Sequence, residues 1–254
     1  MRGVILAAGR GSRLRHLTDD RPKCLVPLAG RPLLAWQRAA LTAAGVTDLA
    51  IVAGYRADDL TGLGLPVFPA HRWAETAMVR SLLAASEWLA GGPFVVSYGD
   101  IVYSAATVRG LVAAPGDLAI AHDPHWLQLW ERRFADPLDD AETFRLAPDG
   151  ALERIGARPS TVAEVQGQYL GLLRFTPEAW AATLALLDGL PARRVDELDV
   201  TSLLQALLDA GERIETVPCH EAWGEVDSPG DLDVCEDLVR RGRLVFGDGQ
   251  EVLG

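Results

Sequence analysis

Residues 4–14 read Val4-Ile5-Leu6-Ala7-Ala8-Gly9-Arg10-Gly11-Ser12-Arg13-Leu14. The first four are apolar, which is typical of a strand buried on both faces, and the glycines after them start a loop that extends to about residue 31. The apolar run is too short for a secretory signal, and no cleavage site follows it. We therefore expect a buried strand that opens into a glycine- and arginine-rich loop.

Strands and helices alternate through the first half of the chain. Apolar patterns and turn residues predict strands at 49–53, 66–68, 94–98 and 117–121, and helices at 33–44, 78–89 and 105–113. This alternation predicts an α/β fold, a Rossmann-like, mostly parallel sheet with helices on both faces.

The alternation stops after Asp123. Residues up to about 160 are polar and turn-rich, and Asp149-Gly150 between two short apolar segments indicates a hairpin. Beyond them the pattern predicts a strand, two helices, a strand and a last helix, at 168–175, 177–187, 200–210, 213–217 and 229–240. We predict one domain over 1–254 with an inserted lid hairpin at about 123–165.

Composition excludes several classes of protein. The chain has 254 residues, 49% of them hydrophobic, which suffices for one sizeable core, and no apolar run approaches the roughly 20 residues of a membrane span. The net charge of −11 argues against binding nucleic acid or an anionic membrane. The three cysteines lack metal-ligand spacing and cannot all pair, so we expect a reducing, cytoplasmic location.

The basic residues are nevertheless concentrated near the start, at Arg10, Arg13, Arg15, Arg21 and Lys23. An acidic chain that gathers cations in one loop is expected to bind a small polyanion there, although charge alone equally allows a solvated basic loop. Two common phosphate loops are excluded. A dinucleotide fingerprint needs glycine at the position of Leu14, and a Walker loop needs Gly-Lys-Ser/Thr.

The loop and the Pro22-Lys23 pair after it resemble the signature of the sugar-phosphate and choline-phosphate nucleotidyltransferases, which are MobA-like NTP transferases. The resemblance implies a nucleotide-diphospho-sugar transferase-like fold and a loop that wraps the phosphates of an NTP. Arg13 and Lys23 would be catalytic residues that contact phosphoryl groups. The nucleotide-binding residues that it implies are Leu6, Ala7, Ala8, Gly9, Arg10, Gly11, Ser12, Arg13, Lys23, Ala77, Tyr98 and Gly99.

Two aspartates resemble the metal pair of the same family. Asp100 follows a predicted buried strand, at the edge where open α/β sheets bind ligands, and Asp227 directly precedes the last predicted helix. Taken alone, Asp227 would equally serve as a cap of that helix. Together with the loop, the two carboxylates are expected to hold Mg²⁺, which also binds phosphate oxygens.

The resemblance extends along most of the chain and is strongest to cytidylyltransferases that act on phosphocholine and small phosphonates. It implies CTP as the donor, a small phosphorylated or phosphonate acceptor, and a homodimer. The acceptor-binding residues that it implies are Lys23, Arg80, Asp123, Trp126, Arg133, Gln168 and Tyr169. Ala77 stands where asparagine is usual, which puts recognition at that point in doubt because alanine makes no side-chain hydrogen bond.

Trp126 and Trp130 allow two interpretations. Together with Tyr169 and nearby carboxylates, they would cage an ammonium group through cation–π contacts. Alternatively, their spacing of four residues makes them one apolar face of a short helix packed on the sheet, and this is the interpretation we favour.

Two rival functions stay open. One is a sugar-1-phosphate nucleotidyltransferase that uses another NTP. The other is a regulatory module that binds a nucleotide without turnover, against which the intact set of Arg13, Lys23, Asp100 and Asp227 speaks.

Overall fold

The computed structural model describes residues 1–244, so residues 245–254 of the predicted domain lie outside the described residues. The described part of the chain forms thirteen strands: β1 (Arg2–Ala7), β2 (Pro27–Leu28), β3 (Arg31–Pro32), β4 (Asp48–Ala53), β5 (Val67–Pro69), β6 (Phe94–Tyr98), β7 (Ile101–Val102), β8 (Leu118–Asp123), β9 (Phe144–Leu146), β10 (Leu152–Ile155), β11 (Gln168–Phe175), β12 (Ile214–Pro218) and β13 (Gly224–Glu225).

The same residues form nine α-helices: α1 (Leu33–Ala43), α2 (Met78–Leu83), α3 (Ser86–Leu89), α4 (Ala105–Ala113), α5 (Leu127–Arg133), α6 (Pro177–Asp188), α7 (Ala192–Asp196), α8 (Val200–Asp209) and α9 (Pro229–Arg240). None of the helices in this described part is long and apolar enough to cross a lipid bilayer. The expected cytoplasmic location stays a prediction.

Seven of the strands form one sheet in the order β12-β8-β11-β6-β1-β4-β5. Every pairing in it is parallel except the two that β11 makes with β6 and β8. The connection from β8 to β11 starts and ends at the same edge of the sheet, where Gln168 pairs with Asp123. Because no helix carries the chain back across the sheet, β11 must run antiparallel. The predicted α/β fold with a mostly parallel sheet is confirmed.

Both faces of the sheet are covered. Consecutive residues of β1, from Val4 to Ala7, are all buried, which requires packing on each side of the strand. Helix α4 contacts β8, β11 and β12, and α1 packs against α4. Helix α2 contacts β1 and β4 and also packs against α7 and α8.

The predicted hairpin is present in the insertion, where β9 and β10 pair antiparallel around Asp149-Gly150. One local prediction was wrong, and one helix was missed. The helix predicted at 78–89 is divided into α2 and α3, and α7 had not been predicted. The prediction of a single domain over 1–254 stays a prediction.

Candidate active site

A cavity of about 390 Å³ opens at the carboxyl edge of the sheet, where β1 lies between β4 and β6. Open α/β sheets bind ligands at this place, outside the carboxyl ends of the strands. Its walls include all the predicted nucleotide-binding residues except Arg10: Leu6, Ala7, Ala8, Gly9, Gly11, Ser12, Arg13, Lys23, Ala77, Tyr98 and Gly99. Arg10 instead pairs with Asp19 at 3.4 Å and lies over the ring of Tyr55.

The loop after β1 is held in shape by its own hydrogen bonds and by an apolar cluster beneath it. Gly11 has φ +67°, and the carbonyl of Gly11 accepts from Leu14 N at 3.0 Å and from Thr18 Oγ1 at 3.2 Å. A Cβ on Gly11 would lie 2.8 Å from Cδ of Lys23, so glycine gives both the turn and the room for this lysine. Leu14 is fully buried in a second core together with Val26.

Pairing of β7 with β13 brings the two predicted metal ligands together. Strand β7 begins directly after Asp100, and Val226 N donates to the Asp100 carbonyl at 2.9 Å, so Asp227 lies beside Asp100. Buried Gln37 supports the same turn, since its amide donates to the carbonyls of Tyr98 at 3.0 Å and Ile101 at 2.7 Å. The helix after Asp227 is capped by Ser228, so Asp227 is not its cap.

Lys23 and Arg13 contact these carboxylates directly. The ammonium of Lys23 donates to Asp100 Oδ2 at 2.7 Å and also to Asp227 Oδ1, and Arg13 donates to Asp227 Oδ2. Burial disfavours the charged form of Lys23, but the two carboxylates outweigh it, and the pKa of Lys23 is raised. The ammonium is therefore fully charged at neutral pH, between the two aspartates.

Glu225 completes a cluster of three carboxylates. Oxygens of Asp100, Glu225 and Asp227 lie within 4.8 Å of one another. Burial and the neighbouring Asp227 raise the pKa of Glu225 to about 8, against the opposing effect of Arg133. Asp227 differs, because Lys23 and Arg13 outweigh its burial and lower its pKa.

The donor set of this cluster fits a hard divalent cation. Mg²⁺ prefers carboxylate oxygens, and the second oxygen of Asp100, Oδ1, is buried without a hydrogen-bond partner. Three carboxylates at such short separation repel one another unless cations neutralise them. In the nucleotide-free chain, Lys23 and Arg13 provide part of that neutralisation.

A second cavity of about 240 Å³ adjoins the first and shares five lining residues with it, Arg13, Met78, Tyr98, Glu225 and Asp227. The rest of its lining has three acidic residues, Asp140, Glu142 and Asp199, and three aromatic ones, Trp130, Tyr169 and Trp223. Gln168, Leu170, Gly171 and Thr201 complete it. Burial, followed by the charges of Asp199 and Asp140, raises the pKa of Glu142 to about 6, although Thr201 donates a hydrogen bond to it. The second cavity therefore carries an excess of negative charge.

Of the predicted acceptor-binding residues, Lys23 lines the first cavity and Gln168 and Tyr169 line the second. The other four lie outside both cavities and make contacts within the protein. Arg80 donates to Asp196 at 2.7 Å, and Asp123 accepts from Trp223 Nε1 at 2.8 Å. Asp123 is buried, whereas the side chain of Arg80 is 33% exposed, and the acceptor-binding roles of both stay predictions.

Trp126 and Arg133 are also held within the protein. Trp126 is 3% exposed, donates to the carbonyl of Val165 at 3.0 Å, and packs edge-to-face against Trp130 at 6.0 Å. The structure thus favours the packed-helix interpretation of this tryptophan pair over a cage formed by both rings. The Arg133 side chain is 1% exposed and pairs with Glu225 and Asp231.

Glu225, Glu142 and Asp199 were missed by sequence reasoning. Glu225 lies two residues before Asp227 in an extended segment, and residues i and i+2 of such a segment face the same side, so this signal was available. Glu142 comes from the insertion and Asp199 from the start of α8, and no spacing in the sequence connects them.

A family model described as the MobA-like NTP transferase domain matches residues 3–162. The chain belongs to this family. The transferase is 32% identical over 250 residues to the CTP:phosphoglutamine cytidylyltransferase of Campylobacter jejuni. The alignment covers 92% of this chain and 98% of that relative. It is also 28% identical over 282 residues to a glucose-1-phosphate thymidylyltransferase of Streptomyces griseus, in an alignment that covers 99% of this chain and 74% of the relative.

Among solved structures, the inositol-1-phosphate CTP transferase from T. maritima superposes on this NTP transferase with a TM-score of 0.76. The alignment has 20% sequence identity and covers 99% of this chain and 98% of the other. This likeness confirms the fold. Together with the family match, the full-length relatives show that the chain is a nucleotidyltransferase and support cytidylyl transfer.

Proposed function

We propose that this transferase moves CMP from CTP to a small phosphorylated or phosphonate acceptor that carries an ammonium group. An oxygen of the acceptor's phosphate or phosphonate attacks the α-phosphorus of CTP. The bond from that phosphorus to the bridging oxygen breaks, and pyrophosphate leaves. The observation that carries the proposal is the acidic, aromatic second cavity that adjoins the first cavity at Arg13 and Asp227.

The first cavity is the proposed nucleotide site. Its loop presents backbone groups of Gly9, Gly11 and Ser12 beside the side chains of Arg13 and Lys23, which suits a polyphosphate. CTP is the proposed donor because the relative from C. jejuni, which matches over nearly its whole length, is named for CTP.

The carboxylate cluster is the proposed site of a divalent cation, with Asp100, Asp227 and Glu225 as the residues that would hold it. When bound, Mg²⁺ supplies positive charge beside the reacting phosphate oxygens. The chain's own cations act alongside. Lys23 and Arg13 are near enough to these carboxylates to reach phosphates bound there, and they would stabilise charge on the departing pyrophosphate.

Charge neutralisation is the main work required. The attacking oxygen is already anionic near neutral pH, so no strong general base is needed. Two unit charges at 4 Å repel by roughly 4 kcal/mol at an effective dielectric of about 20. Cationic side chains that offset part of this repulsion while they hold both anions in line would therefore give several tenfold factors in rate.

The second cavity is the proposed acceptor site. Asp140 and Glu142 are partly buried there beside the exposed Asp199, and a bound ammonium would relieve the repulsion among the three carboxylates. The ring of Tyr169 adds an aromatic wall that suits a cation. A neutral sugar would leave these carboxylates unbalanced, so the cavity favours an amine over a sugar phosphate.

Pyrophosphate release with Mg²⁺ tests the proposal, with the four common NTPs crossed against a small acceptor panel. The panel pairs 2-aminoethylphosphonate with 2-hydroxyethylphosphonate, which differ only in an amine replaced by a hydroxyl, and adds phosphocholine and glucose-1-phosphate. We expect release with CTP and the two ammonium-bearing acceptors, 2-aminoethylphosphonate and phosphocholine, at a rate at least tenfold above that with 2-hydroxyethylphosphonate. Release with glucose-1-phosphate and another NTP would instead establish the sugar-1-phosphate alternative. NTP binding without release from any acceptor would support the regulatory module.

A further inference from the structure

Arg133 ends helix α5 in the insertion, and its guanidinium is buried between two acidic side chains. Its Nη1 donates to Glu225 Oε2 and its Nε to Asp231 Oδ1, each at 2.8 Å. The guanidinium also lies 4.8 Å from the ring centroid of Trp130 and 5.0 Å from that of Phe134. The guanidinium of Arg133 is therefore held by two carboxylates and two aromatic rings.

Asp231 connects this arginine to a proposed metal ligand. While Asp231 Oδ1 accepts from Arg133, Oδ2 accepts from the backbone N–H of Asp227 at 3.1 Å and of Ser228 at 2.8 Å. The side chain of Ser228 accepts from Asp231 N in return and completes a capping box at the start of α9. Arg133 thus contacts Glu225 directly and the backbone of Asp227 through one carboxylate.

The two contacts join segments that are far apart in sequence. Arg133 belongs to the insertion, whereas Glu225 and Asp231 flank Asp227 near the end of the described chain. A planar guanidinium can donate to two carboxylates in fixed directions, which the point charge of a lysine cannot reproduce. Without it, the partly buried carboxylate of Glu225 would lose its cationic partner and would lie beside Asp227 with its charge uncompensated.

We propose that Arg133 is a positioning residue that fixes the separation of Glu225 and Asp227 and thereby sets the affinity of the carboxylate cluster for a divalent cation. This inference rests on the proposed function of that cluster as the metal site. It replaces the acceptor-binding role that the sequence implied for Arg133, which lines neither cavity.

The neighbouring arginine provides a matched control. Arg132 lies in the same helix, is 40% exposed, and pairs with Asp237 at 2.9 Å, away from the cluster. The variants Arg133→Met and Arg132→Met each remove one positive charge from this helix, but only Arg133→Met removes the contacts with Glu225 and Asp231.

Mn²⁺ binding tests the inference, measured by electron paramagnetic resonance on the full-length chain with saturating CTP and no acceptor. We expect Arg133→Met to weaken Mn²⁺ binding at least tenfold, Arg133→Lys to restore only part of it, and Arg132→Met to change it less than twofold. In steady-state kinetics, Arg133→Met should raise the Mg²⁺ concentration for half-maximal rate and lower kcat, with the KM for the acceptor nearly unchanged. Unchanged metal affinity with a raised acceptor KM would overturn the proposal.

Two further variants keep the test decisive. Should Arg133→Met fail to fold, as shown by circular dichroism, Asp231→Asn keeps an oxygen for the helix cap but loses the charge opposite Arg133, and we expect the same loss of affinity. Asp227→Asn separates the two hypotheses. If it leaves Mn²⁺ binding intact, the proposed metal site is wrong; if it weakens binding and neither Arg133→Met nor Asp231→Asn does, only the positioning role is wrong.

Discussion

Lys23 places an ammonium between Asp100 and Asp227, two of the carboxylates proposed to hold a divalent cation. The side chain is 13% exposed, and its donation to Asp100 at 2.7 Å is a short, charge-assisted hydrogen bond. On the proposed function, the ammonium competes with the divalent cation for these carboxylates. Bound phosphates would offer Lys23 another partner and free both carboxylates for the metal.

Replacing Lys23 by methionine should therefore separate metal binding from turnover. We expect Lys23→Met to increase the Mn²⁺ affinity of the nucleotide-free chain about tenfold, because a competing charge is removed. Turnover should fall at least tenfold, since a charge-assisted contact to phosphate contributes about 1.5–3 kcal/mol.

Arg21→Met is the matched control for this experiment. It removes a charge from the same loop, but Arg21 pairs with Asp20 at the surface, so neither quantity should change much. An unchanged or weaker Mn²⁺ affinity in Lys23→Met, measured by titration calorimetry, would contradict competition for the carboxylates.

Helix α9 shows how one element carries a functional residue. Its N-terminus is closed by the capping box of Ser228 and Asp231, so the residue before the cap, Asp227, has a fixed backbone. The segment 78–89, in contrast, is an element whose form local residue preferences did not predict. Ala84 and Ala85 favour a continuous helix, yet α2 ends at Leu83.

Removing the cap of α9 should affect both stability and metal dependence. We expect Ser228→Ala to lower the free energy of unfolding by about 1 kcal/mol, the usual effect of losing such a cap, and to raise the Mg²⁺ requirement of turnover several-fold. Thr176→Ala is the control. The hydroxyl of Thr176 caps α6 by accepting a hydrogen bond from Ala179 N, and this helix end lies away from both cavities. This control should match the loss of stability in urea denaturation but leave the Mg²⁺ dependence unchanged. Equal effects of the two variants on Mg²⁺ dependence would contradict the link between α9 and the cluster.

Over the whole molecule, the two cavities lie where the sheet edge, the insertion and the last helix meet. The insertion contributes Asp140 and Glu142. Asp199 is the N-cap residue of α8, and Glu225 comes from the segment before α9. Glu142 is thus surrounded by charges from separate parts of the chain, and its pKa of about 6 is a property of the assembled fold. The homodimer implied by the resemblance stays a prediction.

The raised pKa of Glu142 should make the free energy of unfolding depend on pH. Because the pKa of Glu142 rises from 4.5 in its ordinary state to about 6 on folding, the folded chain binds its proton more tightly than the unfolded chain. The resulting destabilisation is absent below pH 4.5, grows up to about pH 6 and is complete above it. Glu142→Gln should therefore gain stability relative to the wild type as pH rises from 4.5 to 7, by about 1–2 kcal/mol. Urea denaturation at several pH values measures this difference, and a difference independent of pH would contradict the assigned shift.

The sequence by itself determined the α/β class, because the alternation of strands and helices is a local pattern. The phosphate loop and the aspartate pair were predicted from motifs that resemble the family. Val4-Ile5-Leu6-Ala7 was predicted as a buried strand and forms one, whereas the close approach of Lys23 to Gly11 became visible only in the folded chain. Only the tertiary structure brought together the side chains of the second cavity, which is the proposed acceptor site. The roles of Arg133 and Glu142 depend on burial and on charges contributed from distant segments, and a sequence pattern contains neither of these quantities.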